Sequence, residues 1–159
     1  MPRAWRIIKN RYAAHAFDGE GSRLYGSRWT SPGIRVVHAS ESLSLAVLEV
    51  LVHLQTSAPL VSYSVYTVDF PEDLVEELDK KILPENWRDY PAPTVLRAHG
   101  DAWVRRKSSV LIRVPSVVII HEFNFLINPS HKDFNRLEIS RPKPLDFDPR
   151  FFGHLGHKG

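Results

Sequence analysis

The spacing of apolar residues changes along the chain, and the changes predict alternating strands and helices. The clearest helix covers residues 41–55, where apolar side chains lie on almost every side, as in a buried helix, and Ser40 offers an N-cap. Further strands are predicted at 5–8, 34–38, 61–68, 110–114, 117–120 and 134–139, and further helices at 71–83 and 94–106. This order indicates one α+β domain over residues 1–140, followed by a proline- and histidine-rich tail over 141–159.

Residues 18–33 carry four glycines and a proline but few apolar side chains. They predict a long loop, and ordered loops of that length in a compact domain are often functional. Arg28 lies in this loop directly before Trp29, and arginine binds phosphate through two parallel hydrogen bonds. The same sequence is also typical of a surface arginine that packs on a tryptophan.

The helix predicted at 41–55 carries one polar line on an otherwise apolar surface. Ser42, Glu49, His53 and the following Thr56 fall within roughly 60° of one another at helical spacing. This pattern fits a helix edge in solvent, where Glu49 and His53 form an ordinary pair four residues apart. It also fits a Glu49 held in a partly dry cleft, where a carboxylate stabilises a developing cation.

The composition is that of a globular protein, and it removes several kinds of chemistry. Of the 159 residues, 43% are hydrophobic and none is cysteine, which excludes disulfides, thiolate metal sites and a cysteine nucleophile. The N-terminus lacks the apolar run of a signal peptide and no stretch is long enough to span a membrane, so we expect a cytoplasmic protein without a membrane partner. The net charge of +3 is scattered, so direct nucleic-acid binding is not expected.

Motifs of other enzyme classes are missing from the sequence. It contains no GxSxG elbow, no HExxH and no P-loop. His154 and His157 are spaced like a metal-binding pair on a helix, but they lie in a glycine-rich tail, so no metal site is expected.

Eight short motifs, taken in order, resemble the RES domain, a family named for an arginine, a glutamate and a serine. The motifs are WRI at 5–7, GSRW at 26–29, VVHAS at 36–40, LAVLEVLVHL at 45–54, LPENWRD at 83–89, GDAWV at 100–104, LIRVPSVVI at 111–119 and NFLINPSH at 124–131. The resemblance covers residues 5–139 and implies a fold similar to ADP-ribosyltransferases of the diphtheria-toxin kind. It also implies a toxin that is encoded together with an Xre-family antitoxin.

The resemblance further implies an activity on NAD+. Proteins of this family deplete NAD+ by hydrolysis or phosphorolysis of the nicotinamide–ribose bond, and some instead transfer ADP-ribose to a protein target. NAD+ would then be the substrate, and no cofactor is implied. The toxin would form a homo-oligomer or a hetero-oligomer with its antitoxin, and contact with DNA would run through the antitoxin.

Carried over by motif, the resemblance assigns catalysis to Arg28, Glu49 and Ser116. The family serine has two alternatives close by, Ser109 and Ser130. Because Arg28 and Glu49 would act on the same substrate, we expect them to meet in one cleft although 21 residues separate them.

The resemblance also implies that Arg6 and His38 join Arg28 and Glu49 in binding NAD+. The family usually has tyrosine where this chain has His38. Histidine can stack and hydrogen-bond as tyrosine does, but its charge depends on pH. The departure leaves a third hypothesis open, a binding module that has lost its activity.

Overall fold

The structure is a computed structural model that describes residues 1–54 and 62–153. Within these ranges the strands are β1 (Arg3–Lys9), β2 (Val37–Ser40), β3 (Tyr63–Asp69), β4 (Val75–Glu77), β5 (Leu111–Pro115), β6 (Phe123–Ile127), β7 (Glu138–Ile139) and β8 (Lys143–Leu145). The helices are α1 (Glu20–Tyr25), α2 (Leu43–His53), α3 (Thr94–Arg106) and α4 (Arg150–Gly153). In the described part of the chain, no helix is both long and apolar enough to cross a membrane.

All eight strands belong to one mixed sheet. Its order is β4-β5-β6-β2-β1-β3-β7, and β8 pairs with β3 on the far side. Only β4 and β5 pair in parallel, and the other neighbours are antiparallel. One sheet with helices packed against it confirms the predicted α+β class.

Both faces of the sheet bury apolar side chains. In β5, Leu111 packs into one cluster with Phe70 and Phe125, and Ile112 packs into the other with Trp103. This is the alternation that a strand buried on both faces requires. Side chains on one face of the sheet therefore contact the first cluster, and side chains on the other face contact the second.

Helix α2 differs from its prediction in its start and in its burial. Ser42 is the N-cap, because its Oγ accepts a hydrogen bond from the backbone N of Leu45 at 3.1 Å. The predicted cap, Ser40, is instead the last residue of β2. Within the helix only Leu45 and Ala46 are buried. The prediction of a buried helix was therefore wrong, because α2 packs mainly on β1 and β2 and leaves its other sides partly open.

Two other predicted elements were wrong in type. The helix predicted at 71–83 is two short 3-10 turns around β4, because Val75–Glu77 pair in parallel with β5 and this pairing overrides local helix propensity. The strand predicted at 117–120 is a turn, because the hydroxyl of Ser116 accepts hydrogen bonds from the backbone N of Val118 and Ile119. The strand of this region is β6, which begins at Phe123.

Smaller differences concern boundaries. The strand predicted at 34–38 forms three residues later as β2, and the loop predicted at 18–33 contains the short helix α1. The strand predicted at 134–139 is a 3-10 turn followed by the two residues of β7. The sheet also continues beyond residue 140, where β8 pairs with β3.

Polar contacts to α3 hold the loop that carries Arg28. The buried side chain of Asp101 accepts hydrogen bonds from the backbone N of Ser31 at 2.8 Å and from its Oγ at 2.6 Å. Arg97, one helical turn earlier, donates from Nε to the carbonyl oxygen of Ser27 at 3.0 Å. Both ends of the short segment around Arg28 are therefore fixed to one helix.

Gly100 allows this loop to approach α3. A Cβ at position 100 would lie 1.7 Å from the carbonyl oxygen of Trp29, so no side chain fits there. Glycine inside a helix costs about 1 kcal/mol relative to alanine. Glycine is required at this position because the backbone of the loop occupies the space that a side chain would need.

We expect Gly100→Ala to destabilise the fold by about 1–3 kcal/mol or more, because either the loop or the helix must move. Urea denaturation measures the change in the free energy of unfolding. The matched control is Gly21→Ala in α1, where an added Cβ meets nothing within 4 Å. It should be neutral or slightly stabilising. Equal stability of the two variants would contradict the close approach.

Candidate active site

Glu49 is the centre of a hydrogen-bonded cluster under α2. Its Oε1 accepts from Ser116 Oγ at 2.8 Å and from Asn124 Nδ2 at 2.7 Å. Ser116 follows the end of β5 and Asn124 lies in β6, so one oxygen joins the helix to two neighbouring strands. The polar line of α2 therefore faces the protein at Glu49 rather than solvent alone.

Ser116 has every hydrogen-bonding position of its hydroxyl filled. It is fully buried, and its Oγ accepts from the backbone N of Val118 and of Ile119 at 3.1 Å each. A serine hydroxyl has one hydrogen to donate and two lone pairs. The hydrogen goes to the Glu49 carboxylate and the two lone pairs accept from the two backbone N–H groups, so the hydroxyl has no further hydrogen-bonding position open.

The two alternative serines lie elsewhere. Ser109 Oγ accepts from Trp103 Nε1 at 2.9 Å and contacts the carboxylate of Glu76. Ser130 is exposed, in the turn after β6. Among the three serines near each other in sequence, the structure brings Ser116 to Glu49.

Asn124 has a second fixed contact. Ser40, which is buried at the end of β2, donates from Oγ to Asn124 Oδ1 at 2.7 Å. The two residues are register partners across the β2–β6 pair, so their side chains emerge side by side on one face. The result is a chain of hydrogen bonds from Ser40 through Asn124 to Glu49.

Arg28 approaches the same region from the loop after α1. Its Nη1 donates to the carbonyl oxygens of Trp87 at 2.8 Å and of Asp89 at 3.1 Å. Partial burial lowers the pKa of Arg28, and the negative charges of Glu49 and Asp89 oppose that shift. Arg28 and Glu49 therefore lie within electrostatic reach of each other, without forming a salt bridge.

Arg6 connects β1 to β2 beyond the point where the two strands stop pairing. The two strands share one register pair, Trp5 with Ser40. Beyond it, Arg6 donates from Nη1 to the carbonyl oxygen of His38 at 2.8 Å and from Nε to that of Ala16 at 2.6 Å. Burial lowers the pKa of Arg6 to about 10, so the guanidinium stays charged at neutral pH.

His38 lies next to this cation and is neutral at neutral pH. Burial lowers its pKa to about 4, and the positive charges of Arg6 and His53 add to the effect. Its side chain points to the same face of β2 as that of Ser40, two residues later. The imidazole therefore keeps one donor and one acceptor nitrogen over the usual physiological range.

A separate cavity of about 360 Å³ lies on the opposite face of β5 and β6. Arg113 stacks 3.7 Å from the ring centroid of Phe123 there, and its Nη1 lies 3.0 Å from Glu77 Oε1. Lys80 and Asp79 complete the charged lining. Its two cations are matched by two carboxylates, and none of the predicted site residues lines it.

The sequence did not identify Ser40 and Asn124 as members of this cluster. Both lie inside motifs that carried the family resemblance, VVHAS and NFLINPSH, but a motif does not show which strands pair. Their contact depends on the β2–β6 register, which joins residues 84 positions apart. In the described ranges, no group of three or more metal-binding side chains occurs, and His154 and His157 lie outside them.

Comparisons with known proteins give a family and a fold. Residues 3–148 match the RES domain family. The chain is 36% identical over 147 residues to Toxin Res of Yersinia enterocolitica, which covers 92% of this chain and 97% of that protein. It is 33% identical over 152 residues to the Prs ADP-ribosylating toxin of Sphingobium sp., which covers 92% of this chain and 94% of that protein.

A solved structure has the same fold at low sequence identity. A chain in the crystal structure of the M. tuberculosis MbcT–MbcA toxin–antitoxin complex superimposes with a TM-score of 0.74 and 18% identity. The superposition covers 97% of this chain and 88% of that chain.

The lowered pKa of His38 predicts a loss of stability in mild acid. Between pH 6.5 and about 4, a histidine of the unfolded chain binds a proton that the folded His38 does not, so the free energy of unfolding decreases as the pH falls through this range. The loss is on the order of 3 kcal/mol at most. Urea denaturation at several pH values measures it.

His38→Gln should remove this part of the pH dependence, because glutamine does not titrate. His121→Gln, at an exposed loop position, serves as the matched control and should keep the wild-type dependence. If the wild type and His38→Gln lose the same stability between pH 6.5 and 4, burial of a neutral His38 is not the cause.

Proposed function

The chain belongs to the RES-domain family of toxins, and from that membership we propose that it cleaves the nicotinamide–ribose bond of NAD+ in the cytoplasm. One observation carries the proposal. Glu49 is held by two donors on one oxygen and lies within electrostatic reach of Arg28, with which it forms no salt bridge. A fixed carboxylate and an arginine that, within the described part of the chain, has no salt bridge and has free N–H groups suit a ligand that carries both a ribose and a pyrophosphate.

The proposed roles follow from charge. Arg28 binds the pyrophosphate through Nε and Nη2, which no acceptor within residues 1–54 and 62–153 occupies. Arg6 is proposed as a second cation for the ligand, although two of its N–H groups are bound to backbone carbonyls. Neutral His38 offers a flat ring for the nicotinamide and replaces the tyrosine that is usual in the family.

Glu49 acts on the ribose in this proposal. The N-glycosidic bond breaks with its electron pair leaving on nicotinamide, and positive charge develops on the sugar. The free oxygen of Glu49 accepts from a ribose hydroxyl and stabilises that charge. Water then attacks the anomeric carbon and loses a proton, which gives ADP-ribose, or phosphate attacks and gives the 1″-phosphate. NAD+ is the substrate, and the reaction needs no other cofactor.

A second candidate is transfer of ADP-ribose to a protein. It is favoured by the Sphingobium relative, which is named an ADP-ribosylating toxin and is 33% identical over nearly its whole length. The same cleavage step serves both reactions, since only the attacking nucleophile differs. An inactive NAD-binding module is the remaining alternative, because histidine stands at position 38.

One assay separates these functions. The purified chain is incubated with NAD+ labelled in the adenylate part, with and without phosphate and with and without cell extract, and nicotinamide release is followed. Free ADP-ribose or its 1″-phosphate supports the leading proposal, and label on protein supports the transferase. Binding of NAD+ without nicotinamide release would overturn both and leave the binding module.

Glu49→Gln should lower the rate of nicotinamide release about 100-fold or more, because the charge that stabilises the transition state is lost. Glutamine keeps an oxygen that accepts from Ser116, so folding and NAD+ binding should be retained. The control is Glu138→Gln on the exposed strand β7, which should be as active as wild type. Full activity of Glu49→Gln would show that the carboxylate has no part in cleavage.

We also propose that an Xre-family antitoxin is the partner and that it covers the cleft between Arg28 and Glu49. The fold is shared with a chain from a toxin–antitoxin complex. An exposed carboxylate of the partner can pair with Arg28 as the pyrophosphate would. The oligomeric state, and DNA contact through the antitoxin, stay predictions.

If the antitoxin covers the cleft, NAD+ and antitoxin should compete. Using the Glu49→Gln chain to prevent turnover, calorimetry should give an affinity for NAD+ at least about 10-fold weaker in the complex than in the free toxin. Arg28→Ala should weaken both ligands, whereas Arg141→Ala, at an exposed position, should weaken neither. Equal NAD+ affinity of free toxin and complex would show that inhibition acts elsewhere.

A further inference from the structure

The two oxygens of the Glu49 carboxylate have unequal surroundings. Ser116 Oγ and Asn124 Nδ2 both donate to Oε1, at 2.8 and 2.7 Å. No donor from residues 1–54 and 62–153 reaches Oε2. A carboxylate with one saturated oxygen keeps a fixed plane and presents the other oxygen as its free acceptor.

Asn124 can serve as a donor to Glu49 in one orientation of its amide only. An asparagine amide has an acceptor oxygen and a donor nitrogen, and a flip exchanges them. Ser40 Oγ lies 2.7 Å from Oδ1 and, in this arrangement, donates to it. The carboxylate of Glu49 only accepts and therefore requires Nδ2 on its side, and buried Ser40, opposite Asn124 in the β2–β6 register, stabilises this orientation by donating to Oδ1.

We propose that Asn124 is a positioning residue for Glu49, oriented by Ser40, and that it selects Oε2 as the oxygen that meets the ribose. The inference rests on the proposed function. Ser116 alone could hold Oε1 but leaves the carboxylate free to rotate about that single hydrogen bond. The second donor, from the neighbouring strand, removes this rotation, so Oε2 is already directed before substrate binds.

Asn124→Ala should lower kcat about 10- to 100-fold and change KM less than about 3-fold, because the carboxylate loses its orientation while the arginines still bind NAD+. Asn124→Asp keeps the shape but replaces the donor by a second carboxylate, so its loss should be at least as large. Ser40→Ala should give a smaller loss in the same direction. The control is Asn135→Ala, which makes the same change at an exposed position.

A double-mutant cycle separates positioning from a general structural effect. If Asn124 acts through Glu49, Asn124→Ala should change the residual kcat of the Glu49→Gln chain less than about 3-fold. Losses that multiply in the double variant, or full kcat in both Asn124 variants, would overturn the inference. If Asn124→Ala does not fold, the isosteric Asn124→Asp and Ser40→Ala decide by the same criteria.

The proposed function has its own readout in this experiment. If the wild-type chain releases no nicotinamide from NAD+, the proposed function is wrong and the inference falls with it. If the wild type is active and the Asn124 variants equal Asn135→Ala, the inference alone is wrong.

Discussion

One oxygen of one carboxylate connects helix α2 to two consecutive strands, through residues 67 and 75 positions later in the sequence. Glu49 Oε1 ties α2 to the residue after β5 and to the first half of β6, through Ser116 and Asn124. Ser116 is fully buried, and a buried hydroxyl without a partner costs about 1–3 kcal/mol. Its hydrogen bond to Glu49 is therefore strongly favoured. Helix α2 buries only Leu45 and Ala46, so these hydrogen bonds determine its position together with a modest apolar contact.

The buried carboxylate of Asp101 performs the corresponding task for the arginine loop. Asp101 binds the backbone and hydroxyl of Ser31, and Gly100 leaves room for the loop to pass. Arg28 is then held from the other side by two backbone carbonyls of the loop before α3, at Trp87 and Asp89. Glu49 and Arg28 are therefore both fixed by contacts that leave Glu49 Oε2 and Arg28 Nε and Nη2 without a partner among the described residues. Such preorganisation favours ligand binding, because the two side chains lose little conformational freedom when a ligand binds.

The sequence predicted the elements that follow from local apolar periodicity and the site residues that lie in recognisable motifs. Residues 5–8 and 94–106 form β1 and α3, because apolar periodicity and pairing favour the same element there. It failed at 71–83, where a strand-to-strand contact decided the structure, and at 117–120, where one serine hydroxyl turned the backbone. The motifs named Glu49 and Ser116 but not Asn124. The contacts of Asn124 follow from pairing across 84 residues, which no local signal contains.

Burial acts against the positive charge of Arg6 and His38, and an anionic ligand would offset it. Burial lowers the pKa of Arg6 to about 10 and that of His38 to about 4, so the protein keeps one cation and suppresses a second one next to it. Asp18 and Tyr66 offset the burial of Arg6 only in part. An anion that binds Arg6 or Arg28 would supply the missing countercharge, and its binding to the folded state alone would stabilise that state. The pyrophosphate of the proposed substrate would bring that charge, whereas a neutral sugar would leave both arginines partly desolvated and without a countercharge.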